Sequence, residues 1–137
     1  MHGYSDSDWQ VRCSTSGYAF FVANAIVAYL SKKQPTIAMS SAQAEIYAAS
    51  LAGLEGVFML GFVEQITGDD PGSVDLMVDS KGASDLSQDF VSNARVRHFE
   101  RRQLKIRELV DRALIKVKTV TTGRQRRGHL HQAAGQD

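Results

Sequence analysis

The segment Ser40-Ser41-Ala42-Gln43-Ala44-Glu45 decides how this chain is read. Ser40 followed three residues later by Gln43 is a capping box, in which a serine hydroxyl accepts from a first-turn N–H and the glutamine reaches back. Small and apolar residues follow from Ala42 to about Ile66, which predicts a long helix. Gly53, Gly56 and Gly61 interrupt it at up to about 1 kcal/mol each, a cost that close packing on a sheet would offset. Thr67-Gly68-Asp69-Asp70-Pro71-Gly72 ends it.

Toward the N-terminus the pattern changes to strands. Residues 2–6 read as a short strand and residues 10–16 as a polar turn. Tyr18 to Ala23 is aromatic and β-branched, Asn24 and Ala25 form the expected turn, and Ile26 to Leu30 is a third strand. These three fit an antiparallel meander. Ser31 to Gln34 is a polar break before Pro35, which disfavours helix just ahead of it.

Toward the C-terminus, Val74 to Val78 reads as a buried strand with Asp79 at its end. A short helix is expected from about Lys81 to Ser87, and a loop from Gln88 to Asn93. Val96 to Val110 reads as a helix with a partial apolar stripe of Val96, Phe99, Ile106 and Val110, while Arg97, Arg101 and Lys105 stand on another face. Ala113 to Val120 alternates around Lys116 and Lys118 as a strand. Gly123 to Asp137 is rich in Arg, His, Gln and Gly and is weakly helical at best. Strands and helices are interleaved, so the fold class is α/β, with no internal repeat and no domain linker.

The bulk numbers fit one globular domain: 137 residues with 43% apolar content. No apolar run approaches the 18 residues of a membrane span, so no membrane partner is expected. No signal-peptide-like stretch precedes the first strand, and an intracellular location is expected. Cys13 is the chain's one cysteine, which excludes a disulfide framework and a cysteine zinc site. The net charge of +1 hides a division. Residues 1–94 carry 4 Lys/Arg against 11 Asp/Glu, a balance of −7, and residues 95–137 carry 12 against 4, a balance of +8. The basic part suits phosphates, or is a solvated helix and tail.

Three carboxylates stand where elements begin or end: Asp6 in Gly3-Tyr4-Ser5-Asp6-Ser7-Asp8-Trp9, Glu45 in the capping segment, and Asp79 in Leu76-Met77-Val78-Asp79-Ser80. A carboxylate in such a place is costly to bury unless a cation or hydrogen bonds satisfy it. Three that converge make an oxygen cage for a hard divalent cation. Simpler roles stand beside this one: an exposed helix carboxylate for Glu45, and a cap on the next helix, at Lys81, for Asp79, where both roles can coexist.

The phrases as a set resemble the ribonuclease H domain of a Ty1/copia-type retrotransposon polyprotein. They are the Asp6 and Glu45 phrases, Ser14-Thr15-Ser16-Gly17-Tyr18, Ser31-Lys32-Lys33-Gln34-Pro35-Thr36, Val78-Asp79-Ser80 with Ala83, and Arg95-Val96-Arg97-His98-Phe99-Glu100. The resemblance covers residue 2 to about residue 125. It implies a ribonuclease H-like fold: a five-stranded mixed sheet, strands 1–3 an antiparallel meander, flanked by helices, over residues 1–122. It further implies endonucleolytic cleavage of the RNA strand of RNA/DNA hybrids by two divalent cations, Mg²⁺ or Mn²⁺, about 3.5–4 Å apart. By motif position Asp6, Glu45 and Asp79 are the catalytic metal ligands. Asp8, two residues further along the strand, is expected in a turn or hydrogen-bonding role. Lys81, Arg95, Arg97 and His98 are expected to hold phosphates of the hybrid, His98 fitting a structural role as readily, with Arg101 and Lys105 extending the basic face. The expected partners are the hybrid and an upstream reverse transcriptase domain of the same polyprotein. A transposase or integrase core shares the fold class, but its carboxylates run Asp, Asp, Glu, whereas these run Asp, Glu, Asp.

The chain departs from the family at its end. A fourth Asp is expected in an Ala-Asp-x-x-Thr-Lys phrase shortly after a Gln, and here Gln125 is followed by Arg126-Arg127-Gly128-His129-Leu130-His131-Gln132. Gly128 takes the position of that Asp, and the sequence has no Asp or Glu between Asp111 and Asp137. One permitted codon choice for Arg127 to Gln132, CGC GGA CAT CTG CAC CAA followed by G, reads one nucleotide later as Ala-Asp-Ile-Cys-Thr-Lys. A frameshift between about residues 122 and 127 is therefore expected, leaving residues 123–137 as a degenerate segment in place of the last catalytic helix. Impaired cleavage follows, the alternative being an inactive nucleic-acid-binding relic. His129 and His131 are poor substitutes, because Mg²⁺ prefers oxygen ligands. The connection from Trp9 to Ser14 is also shorter than the family's usual one.

Overall fold

A computed structural model describes residues 1–79, Gly82, Leu86 and 97–120, with residues 97–100 described by their backbone. The elements are β1 (His2–Asp8), β2 (Thr15–Val22), β3 (Ala25–Lys33), α1 (Ser41–Thr67), β4 (Val74–Asp79), α2 (Arg97–Asp111) and β5 (Ile115–Val120). The strands form one sheet in the order β3-β2-β1-β4-β5. The first three pair antiparallel, while β1–β4 and β4–β5 pair parallel, so the sheet is mixed as expected.

Each strand sends alternate residues to the α1 side. Val74, Leu76 and Val78 of β4 are buried there with Phe20 and Ile115. The opposite face carries His2 stacked on Phe21, ring centroids 5.3 Å apart, with Tyr4 edge-on to both. A Cβ on Gly3 would stand 2.2 Å from Phe20 Cε1, and one on Gly56 of α1 3.1 Å from the same atom. Glycine at both positions lets the Phe20 ring fill the space between strand and helix. Burial of such a ring is worth about 1.5–3 kcal/mol. Gly53 plays the same part against Ile106 of α2 and Ile115 of β5.

Helix α1 starts where the capping box places it. Ser40 is extended, and its hydroxyl accepts from Gln43 N–H at 3.2 Å. Gln43 Oε1 accepts from the Met39 N–H at 2.8 Å, one residue earlier than the usual box. Gly68, left-handed at φ 75°, closes the helix by donating to the Glu64 carbonyl. The expectation that no segment approaches a membrane span is corrected here. By length and composition alone α1 qualifies; half of its most apolar stretch is buried within the fold, while Leu54, Phe58, Phe62 and Ile66 are exposed.

The strand limits differ from the sequence reading, and pairing explains why. β1 runs to Asp8 and β2 starts at Thr15 because Asp6, Ser7 and Asp8 pair with Gly17, Ser16 and Thr15. The short connection between them is therefore compatible with a full hairpin. Ser31, Lys32 and Lys33 are not a break: they extend β3 along the same three residues of β2. The β2–β3 turn lies at Ala23 and Asn24, both at positive φ, one residue before the expected place. Ala113 and Leu114 belong to the turn that closes α2, not to β5. Leu114 N–H donates to the Leu109 carbonyl and Ala113 N–H to Val110, with Ala113 left-handed at φ 57°. Gly82 and Leu86, within the expected short helix, are both helical. The loop expected from Gln88 to Asn93 and the segment 123–137 lie outside the described residues.

Candidate metal centre

The β1–β4 ladder fixes two of the three carboxylates. Its pairs are His2–Asp75, Gly3–Leu76 and Tyr4–Met77. Continued by two residues, that parallel register sets Asp6 opposite Asp79. The β1–β4 pairing stops at Tyr4 and Met77, so both stand toward the carboxyl ends of these parallel strands, where the two part. β2, which follows β1, lies on one flank of this strand pair, and β5, the strand after β4, on the other. Such switch points are where open α/β sheets bind ligands.

Glu45 arrives from the first turns of α1, and the capping contacts around Ser40 and Gln43 set its place. Gln34 adds a second hold: its Nε2 donates to Ser16 Oγ at 2.7 Å and to the Ala44 carbonyl at 3.0 Å, all in a buried setting. Trp9 Nε1 donates to the Ala38 carbonyl at 3.0 Å, which ties the end of β1 to the segment entering α1. The elements bearing Asp6 and Glu45 are thus cross-linked by side chains.

The outcome is a cluster: one carboxylate oxygen each from Asp6, Glu45 and Asp79, all within 4.8 Å of one another and all half-buried. Asp6 Oδ1 accepts from Ser7 N–H at 2.9 Å, and Asp79 Oδ1 from Gly82 N–H at 2.5 Å. Asp79 therefore caps the turn that follows it, as well as facing the cluster. Two like unit charges about 4 Å apart repel by about 4 kcal/mol at an effective dielectric of 20. An all-oxygen donor set at this spacing fits a hard divalent cation, which would turn that repulsion into attraction.

Asp8 stays out of the cluster; it is exposed and accepts from Gln10 Nε2 at 3.1 Å. Lys81 and Arg95 lie outside the described residues, as do the side chains of Arg97 and His98, whose backbone opens α2. Gly128, His129 and His131 also lie outside them. Farther along α2, Arg101 is exposed, and Lys105 and Arg112 both clasp Glu108, at 3.0 and 3.6 Å. Arg102 lies over the Tyr47 ring, 4.0 Å from its centroid, joining α2 to α1. The sequence reading singled out neither Gly82 nor the hold of Gln34. The first had a signal, its place three residues after an Asp, where a cap acceptor finds its donor. The second depends on pairing of distant segments.

The fold and this site define the class: a ribonuclease H-like domain. The chain superposes on the ribonuclease H1 of the halophilic archaeon Halobacterium salinarum NRC-1 with a TM-score of 0.55, covering 90% of this chain and 85% of the other at 19% identity. By sequence it is similar to part of a retrotransposon Pol polyprotein. It is 32% identical, over 126 residues, to the retrovirus-related Pol polyprotein from transposon TNT 1-94 of Nicotiana tabacum. That match takes in 89% of this chain and 9% of the polyprotein, so the chain corresponds to a small part of its relative. It is also 46% identical over 61 residues to the secreted RxLR effector protein 161 of Plasmopara viticola, covering 42% of this chain and 43% of the other. No protein-family model matches the chain.

Proposed function

We propose that this domain hydrolyses the RNA strand of RNA/DNA hybrids, as the ribonuclease H domain of a Ty1/copia-type reverse transcriptase. The observation that carries the reading is the convergence of Asp6, Glu45 and Asp79 within 4.8 Å. In this reading the three side chains hold the divalent cations, Mg²⁺ or Mn²⁺. When bound, those cations supply Lewis acidity and charge neutralisation at the scissile phosphate. The protein's own contribution is to fix the oxygens. Backbone N–H groups orient Asp6 and Asp79, and the bracket on Ala44 holds the turn that carries Glu45. Lys81, Arg95, Arg97 and His98 contact phosphates, with exposed Arg101 continuing the basic side. Such contacts suit an A-like duplex, whose minor groove displays 2′-hydroxyls. The partners in this reading are the hybrid and an upstream polymerase domain, inside the cell.

Cleavage is slow in this reading, because Gly128 stands where the fourth carboxylate belongs and no Asp or Glu follows Asp111 until Asp137. The same observation favours the second reading, a hybrid-binding domain without activity. A labelled hybrid incubated with the full chain in Mg²⁺ and in Mn²⁺ separates the two. Slow cleavage that Asp79→Asn abolishes and Gly128→Asp accelerates supports the first. Cleavage indifferent to chelator and to Asp79→Asn rules out the carboxylate site. A rate unchanged by Gly128→Asp rules out the missing ligand as the cause of impairment.

A further inference from the structure

Gly82 is buried and helical, three residues past Asp79. Its N–H donates to Asp79 Oδ1 at 2.5 Å. A Cβ at this position would lie 3.0 Å from that same oxygen, 3.5 Å from Glu45 Oε2 and 3.6 Å from Val78 Cβ. Its φ is outside the left-handed range, so the backbone does not require glycine here. In helical conformation alanine is favoured over glycine by about 1 kcal/mol. Local propensity therefore argues against glycine, and the space beside the carboxylates argues for it. An alanine methyl cannot be relieved on the Val78 side, since Val78 is a fixed core residue, 1% exposed. The group that must yield is the Asp79 carboxylate, through the very oxygen that the residue 82 N–H holds.

We propose that Gly82 is a positioning residue of the carboxylate cluster. Its N–H orients Asp79, and its lack of a side chain leaves room at Asp79 and Glu45 for the water shell that a hard divalent cation retains. Residue 82 then sets cation affinity without being a ligand. This rests on the reading of the cluster as a cation site.

Calorimetric titration of the full chain with Mn²⁺ tests it, comparing wild type, Gly82→Ala and Asp79→Asn, alongside metal-free melting curves. Gly82→Ala is expected to weaken Mn²⁺ binding on the order of tenfold, the scale of changes to groups that orient ligands. Its metal-free melting temperature should equal or exceed that of wild type. A loss smaller than about fivefold overturns the proposal. Wild type that takes up no Mn²⁺, or takes it up as Asp79→Asn does, overturns the cation-site reading and this proposal with it. Should Gly82→Ala fail to fold, wild type answers alone. Lys81-Gly82 is the chain's one Lys–Gly pair, so carbonyl-labelled lysine with ¹⁵N-glycine assigns the Gly82 amide. That resonance should shift saturably on Mg²⁺ titration, and a static resonance overturns the proposal.

Discussion

Gln34 is hydrogen-bonded through Nε2 to the carbonyl of Ala44, the residue that precedes Glu45. It is 3% exposed and shares the same nitrogen with Ser16 of β2. One side chain thus spans the end of the meander and the first turn of α1. Gln34→Ala should cost about 1–3 kcal/mol in urea unfolding, the range for leaving buried partners unpaired. It should also weaken Mn²⁺ binding, because the turn bearing Glu45 loses its bracket. A stability change within about 0.5 kcal/mol of wild type would show that the bracket carries no load.

Gly3 and Phe20 form a second such relationship. They are register partners in β1 and β2, and the ring occupies the space where a residue 3 side chain would be. Gly3→Ala should cost about 1–3 kcal/mol or more through overpacking. Phe20→Leu frees the space, so the double mutant should recover part of that cost. A double-mutant cycle in urea should give a coupling of at least about 1 kcal/mol, and additive costs would refute the steric account.

Asp75 and Lys118 tie the parallel strands β4 and β5 across the outer face at 2.8 Å. The hydrogen bond from Lys118 holds the Asp75 carboxyl below its ordinary value of 3.8, against a smaller opposing effect of burial and with the charges of Lys118 and Lys116 adding to it. A depressed folded-state value stabilises above the unfolded one and is lost as pH falls through the folded one. The pair is solvent-exposed enough for its worth to be about 0.2–1 kcal/mol. Asp75→Asn should therefore be less stable than wild type near neutrality by that amount. The two unfolding curves should converge as the solution is acidified below the folded value. A difference that persists in strong acid would mean that packing, not charge, is responsible.

Two turns hold alanine in left-handed backbone, Ala23 at φ 49° and Ala113 at φ 57°. Ala113→Gly should raise stability by about 0.5–1 kcal/mol, the relief of strain exceeding the entropy cost. Ala23→Asn with Asn24→Gly should stabilise the hairpin by a similar amount, about 0.5–1 kcal/mol, by matching the preferred turn. Melting curves decide both; a lower melting temperature would contradict the strain argument.

Those alanines also explain what local sequence did not disclose. The start of α1 was legible because Ser40 and Gln43 are cap residues by type, and its end because Gly68 is. The end of α2 was legible to within one residue, but the start of β5 was not, because Ala113 sits where glycine is expected and prolongs the apparent alternation of the strand. Asp6, Glu45 and Asp79 could be named from their phrases. Their convergence needed the β1–β4 pairing, which joins segments about seventy residues apart and leaves no local trace. The roles of Ser31 to Lys33 were hidden likewise: polar residues on an outermost strand look like loop until the partner strand is known.

That outermost strand has a bearing on handling the protein. A sheet ends in unpaired backbone groups on either rim, a template on which other chains can stack. Here one rim bears Lys32 and Lys33 and the other Lys116 and Lys118, all exposed, and β2 is bulged against β3 at Phe20 and Phe21. An incoming strand would have to strip water from an ammonium group at either border. Charge at both borders thus opposes intermolecular sheet growth, and replacing these four exposed lysines with neutral β-formers is expected to raise light scattering from the protein in solution.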